Sequence, residues 1–159
     1  MRMSIIFAAR DISSLIPVSP KVSLIGPYPM SYMCGVWTAL EDIDMNNGAP
    51  IYYPGSHRLP VIQMEDVASE PGTAQYPKYE AYIAKMVKDK GLKPSYAILK
   101  KGQSLIWAAN LLHGGSAHLD KSRTRHSQVT HFFFEGCQYY MPLESYGGYR
   151  HLRIENWVR

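Results

Sequence analysis

The chain has 159 residues, 46% of them apolar, with twelve Tyr, three Trp and a formal net charge of +4. That length supports one domain with a real core rather than two, and the composition is that of a globular protein, not a disordered one. The charge is mild and no Lys/Arg run stands out, so a nucleic-acid-binding face is not expected.

The chain starts with a short apolar run, Ile5-Ile6-Phe7-Ala8-Ala9. It is shorter than the ~7–15 residues of a signal-peptide core and far below the ~20 needed to span a bilayer. A cytoplasmic protein without membrane attachment is expected. Prolines at 17, 20, 27 and 29 exclude a helix there and limit any strand to a few residues, so residues 1–30 are expected to be irregular. From Tyr32 to Leu40 β-formers dominate, with Met33, Gly35, Trp37 and Ala39 on one face by the period-two rule. Glu41 to Gly48 is an acidic turn closed by Asn47-Gly48, a reversal signal. Ile51-Tyr52-Tyr53 reads as a short strand stopped at Pro54-Gly55-Ser56-His57.

Tyr76 to Lys90 reads as a helix. Tyr79, Tyr82, Ile83, Met86 and Val87 recur at three- and four-residue spacing, lysines gather in the last turns, and Gly91 stands where a C-cap belongs. Strands follow at Tyr96–Leu99, Ser104–Ala108, Thr124–Phe134 and Cys137–Met141, with a turn at Lys101-Gly102. Short strands joined by turns, with one inserted helix, argue for a β-sandwich or open barrel. Cys34 and Cys137 lie far apart without ligand-like spacing and read as two reduced thiols.

Chemistry is suggested first by Asn110-Leu111-Leu112-His113-Gly114-Gly115-Ser116, where a strand carrying Trp107 runs to a histidine followed by paired glycines. Alone, a histidine at a strand end is more often structural than functional. The later strand carries Arg123, Arg125, Ser127, Val129, His131 and Phe133 on its odd-numbered face. A polar inner face in a small barrel means a pocket. An inward Arg beside a Ser suits a carboxylate, because the planar guanidinium offers paired donors. An exposed edge strand with solvated charges is the competing reading.

Taken in order, these pieces resemble the phytanoyl-CoA dioxygenase family of non-haem iron, 2-oxoglutarate-dependent oxygenases. Trp37-Thr38-Ala39-Leu40-Glu41-Asp42-Ile43-Asp44, then Asn47-Gly48, then Tyr53-Pro54-Gly55-Ser56-His57 is similar to the family's central signature. Lys101 to Trp107 resembles the strand before the distal metal ligand. Leu112-His113-Gly114-Gly115-Ser116, followed by Arg125 and His131-Phe132, resembles the closing motif. The resemblance covers about Met33 to Tyr140.

It implies a mainly β fold, a double-stranded β-helix (jelly-roll, cupin-like), incomplete at the N-terminus and with one inserted helix. The implied domain spans residues 31–145, followed by a C-terminal tail at 146–159. It implies His113 as the distal iron ligand and Arg125, favoured over Arg123 by counting back from His131-Phe132, as the partner of the far carboxylate of 2-oxoglutarate. Trp37 is an aromatic pocket position. Ser116 lies near a cosubstrate-binding serine, although one extra residue separates His113 from Arg125. The implied cofactors are Fe(II) and 2-oxoglutarate, and the implied partner is a small-molecule substrate whose C–H bond is hydroxylated as 2-oxoglutarate is decarboxylated to succinate. No nucleic acid, membrane or particular oligomer is implied.

One departure stands out. Two histidines and one carboxylate hold one face of the iron in such sites, and the family's other two ligands form a His-x-Asp upstream of the strand at Met33. Counting back places Ser19 and Lys21 there, and no histidine precedes His57. His118-Leu119-Asp120 has the literal pattern but reads as a surface turn. The expectation is a fragment, or a start translated in the wrong frame, with impaired or absent turnover. The alternative is a non-catalytic jelly-roll that binds a small carboxylate through Arg125.

Overall fold

The computed structural model describes residues 33–68, 70–134 and 137–152 with their side chains, together with the backbone of two short strands at 3–7 and 23–24. Period-two alternation sets the architecture. Along β3 (Cys34–Ala39), Gly35, Trp37 and Ala39 are buried and their neighbours are partly exposed, as the alternating pattern predicts. β3 is flanked on one side by β6 (Ser104–Ala108) and on the other by β8 (Ser127–Phe134), which in turn pairs with β1 (Met3–Phe7). Together they form a four-stranded antiparallel sheet in the order β1-β8-β3-β6.

The register places Gly35 opposite both Trp107 and His131, and Trp37 opposite both Leu105 and Val129. Directly opposed residues share a face, so the odd-numbered face of β8 is the inner one. A second sheet, ordered β5-β4-β7, is built from β5 (Ser95–Tyr96), β4 (Pro50–Tyr52) and β7 (His113–Gly115). A two-stranded ribbon joins β2 (Ser23–Leu24) to β9 (Tyr139–Tyr140).

Trp37, Ala39, Ile43, Ala49 and Trp107 form a core cluster between the two larger sheets, joined by Leu105, Leu111 and Val129. On the other side of the small sheet, Ile51, Tyr53 and Leu112 meet Ile62, Met64, Leu143 and the helix residues Tyr79 and Ile83. That helix, α1 (Tyr76–Asp89), has Pro77 in its first turn, where the missing N–H costs nothing. It ends before Gly91 at φ 59°. Tyr79 is fully buried and Tyr82 lies at the surface, so Tyr79 packs the helix onto the sheet. The architecture is mainly β with one helix, and the sheets stay open at their edges.

Several expectations change in detail. The strand expected at Tyr96–Leu99 shortens to β5, with Leu99 making an isolated bridge to Ile43. The segment expected at Cys137–Met141 shortens to β9. The stretch expected to be irregular, 1–30, carries β1 and the two-residue β2, which fits between Pro20 and Pro27. Its other residues lie outside the described ones. The first part of the C-terminal stretch folds back, with Leu152 bridging Tyr140 and the Arg150 guanidinium 5.4 Å above the Tyr140 ring. Both cysteines are free. Among the described residues no helix is long and apolar enough to cross a membrane.

Candidate functional site

His113 does not end the Trp107 strand, as the linear sequence suggests. After β6 the chain turns at Ala109-Asn110-Leu111, closed by Leu111 N–H donating to Ala108 O at 2.9 Å, and crosses to the small sheet. There His113 opposes Tyr52, while Gly114 opposes Ile51. Ile51 faces the helix side, so His113 faces the large sheet. Its ring meets Trp107 at 4.8 Å between centroids with a 43° tilt.

The Trp107 indole can lie there because Gly35 has no side chain. A Cβ on Gly35 would sit 2.5 Å from Trp107 Cε2. His113 Nδ1 is 2.8 Å from Leu111 O. A carbonyl only accepts, so Nδ1 carries a proton in this contact. A histidine that ligates a metal through Nε2 is oriented by the same kind of Nδ1–H bond to a carbonyl.

Arg125 precedes β8 on its inner face, two residues before Ser127. Its Nη1 donates to Gly48 O at 2.9 Å. Ser116 N–H donates to Ala49 O at 3.1 Å, and Ser116 Oγ is buried without a hydrogen-bond partner among the described residues. Trp37 packs in the same cluster as Ala49 and Trp107. Arg125 and Ser116 thus converge on the Gly48-Ala49 backbone, Trp37 packs in the core cluster that contains Ala49, and His113 joins that cluster through Trp107. Both key contacts cross between the sheets: His113 reaches from the small sheet to the large one, and Arg125 from the large sheet to the chain entering the small one.

Arg123, the competing arginine, is engaged elsewhere. Its Nη1 donates to Asp44 Oδ2 at 2.7 Å and its Nη2 to Asp42 O at 3.2 Å. The His118-Leu119-Asp120 tripeptide, expected to be a surface turn, exposes Leu119 but keeps His118 and Asp120 half-buried, with His118 Nε2 buried without a hydrogen-bond partner among the described residues. Leu119 is 66% exposed, Asp120 Oδ1 accepts from the Ser122 N–H and hydroxyl, and the Leu119 and Asp120 N–H groups both donate to Asn46 O. Sequence reasoning missed the part played by Asn47, Gly48 and Ala49, whose signal was the Asn-Gly pair itself.

The sequence model of the family described as Phytanoyl-CoA dioxygenase (PhyH) matches residues 20–127. The chain belongs to the phytanoyl-CoA dioxygenase family. The match begins upstream of the boundary expected near residue 30. Peroxisomal phytanoyl-CoA dioxygenase of Rattus norvegicus is 27% identical over 119 residues, covering 70% of this chain and 31% of that protein. The Bos taurus protein is 28% identical over 116 residues, with the same coverage. The chain therefore spans about a third of the length of the curated relatives it matches. The crystal structure of the non-heme alpha ketoglutarate dependent carbocyclase SnoK from nogalamycin biosynthesis aligns with a TM-score of 0.53 at 14% identity, covering 94% of this chain and 59% of that one. That likeness shows the double-stranded β-helix fold.

The residues present fit the family's two cofactors unequally. An arginine with a buried, unpartnered serine hydroxyl nearby matches the donor set a carboxylate requires. For iron, His113 is oriented by its Nδ1 contact with the Leu111 carbonyl, but among the described residues no group of three or more His, Cys, Asp or Glu side chains gathers to hold a metal ion. A single imidazole does not make a facial site.

Proposed function

We propose that the chain descends from an Fe(II)- and 2-oxoglutarate-dependent dioxygenase and keeps the cosubstrate end of that site, with residues 31–145 as the domain carrying it. In this reading Arg125 holds the far carboxylate of 2-oxoglutarate, with the Ser116 hydroxyl as a further donor and Trp37 as an apolar wall. The observation that carries it is the convergence of Arg125 and Ser116 on Gly48-Ala49. His113 is the distal iron ligand of the ancestral site. With one ligand of three in its sequence, the chain is expected to give very weak succinate production, or none, when supplied with Fe(II) and 2-oxoglutarate. Robust turnover would overturn the ligand count. The names of the peroxisomal relatives suggest an acyl-CoA substrate for the ancestral enzyme.

The second reading, a non-catalytic carboxylate binder, is favoured by the carboxylate donors at Arg125 and Ser116, beside which no cluster of metal-ligating side chains stands among the described residues. Calorimetry without metal separates both readings from a protein that binds nothing. 2-Oxoglutarate is expected to bind, and Arg125→Ala to abolish binding. Equal binding by wild type and variant would remove Arg125 from the site.

A further inference from the structure

We propose that the Glu41–Gly48 turn is a clamp that holds Arg125 in its carboxylate-binding pose, with Asn47 and Gly48 as its positioning residues; this rests on the reading of Arg125 as the carboxylate ligand. Every residue from Arg123 to His126 is tied to this turn. Arg123 binds Asp44 and the Asp42 carbonyl. The Thr124 hydroxyl donates to Glu41 Oε2 at 2.7 Å. The His126 N–H donates to Glu41 Oε1, and His126 O accepts from Leu40 N–H at 3.0 Å. Arg125, in the middle, donates to Gly48 O.

Asn47 locks the turn to the strand. It is fully buried. Its Nδ2 donates to Asp42 O and to Thr124 O, both at 3.0 Å, and its Oδ1 accepts from Asp44 N–H at 2.8 Å. One amide thus fixes the turn's own shape and grips the residue before Arg125. The far side of the turn is anchored by Ile43 pairing with Leu99 and by Lys101 N–H donating to Asp42 Oδ1 at 3.0 Å. The clamp is therefore braced on both sides, which is what a supporting shell must provide to fix a long side chain.

Gly48 has a second task. It adopts φ 84°, and a Cβ there would lie 3.0 Å from Arg125 Nη1 and 3.1 Å from Ser116 O. Any side chain would push on the guanidinium. Gly102 provides a matched control, because its φ is 86° and a Cβ there would meet nothing within 4 Å. An alanine at either place incurs the same backbone strain, but only the one at 48 touches Arg125.

The test uses the full chain, metal-free, with two readouts. Calorimetry measures 2-oxoglutarate affinity, and arginine side-chain NMR follows the Arg125 signal, assigned by its loss in Arg125→Lys. Gly48→Ala is expected to weaken 2-oxoglutarate binding at least about tenfold and to broaden the Arg125 signal, while Gly102→Ala leaves both as in wild type. Wild-type affinity or an unbroadened Arg125 signal in Gly48→Ala overturns the clamp, as does an equal effect of Gly102→Ala. If Gly48→Ala does not fold, Glu41→Ala decides by the same measurements. It removes the bonds to Thr124 and His126 without backbone strain, is expected to weaken binding severalfold and broaden the signal, and overturns the clamp if both stay unchanged. Should wild type fail to bind 2-oxoglutarate, the carboxylate reading falls while the NMR comparison still decides whether the turn orders Arg125.

Discussion

At the Arg125 end, each residue from Arg123 to His126 is hydrogen-bonded to the Glu41–Gly48 turn. At the His113 end, the imidazole is placed by ring packing on Trp107 and by the Leu111 carbonyl. The first end depends on polar groups meeting at fixed distances, the second on volumes that fit. The two ends are therefore expected to fail separately, the packed one to a change of size and the hydrogen-bonded one to a change of polarity or pH.

The largest expected effect is at the packed end. Gly35→Val drives a side chain into the Trp107 indole, and overpacking of this kind costs about 1–3 kcal/mol. Urea unfolding should show that loss, with 2-oxoglutarate affinity little changed. A large fall in affinity would mean that the two ends are coupled through Trp107. Tyr79→Phe, outside both ends, runs the opposite way. The Tyr79 hydroxyl is buried without a partner among the described residues, and burial raises its pKa. Removing it is expected to stabilise the fold by about 1 kcal/mol, read as a shifted urea midpoint. Destabilisation would point to an unrecognised partner for the hydroxyl.

The hydrogen-bonded end should respond to acid. The His126 N–H, and after it the Thr124 hydroxyl, hold the Glu41 carboxyl below its ordinary value of 4.5. Asp44 is lowered chiefly by its hydrogen bond from Arg123. Carboxylates depressed in the folded state contribute stability that is complete above their unfolded pKa and is lost as pH falls through the folded one. Unfolding free energy measured against pH is thus expected to drop below about pH 4.5, with Glu41→Gln flattening the drop. An identical profile in Glu41→Gln would remove Glu41 from the clamp. The smallest effect belongs to the exposed Lys85–Asp89 pair on α1. Lys85→Ala should leave both the urea midpoint and binding at their wild-type values, giving the baseline for the other variants.

Much of this was legible in the sequence because it is local. Alternation along 33–39 set the inner face of β3, and apolar spacing marked α1 within a residue of its observed end. The choice of Arg125 over Arg123 came from the family resemblance, counted back from His131-Phe132, and Arg123 is engaged by Asp44. Other features are not local. His113 moved to its own strand because a turn at Asn110 carries the chain between sheets, and a three-residue strand has no periodicity to detect. Asn47 looked like a reversal signal, yet its Nδ2 bond to Thr124 O spans 77 residues of chain. Nothing in the linear order announces such a bond.

The inter-sheet contacts of His113 and Arg125 carry a practical consequence. On the proposed reading, the carboxylate end draws donors from both layers, so an acid seated there would fasten one sheet to the other and its occupancy would become a mechanical property of the domain. A molecule bound only by the folded form raises the melting temperature in step with the logarithm of its concentration over its dissociation constant. A thermal-shift panel of small dicarboxylates therefore tests that reading without any catalytic turnover, and a melting temperature unmoved by every one of them would overturn it.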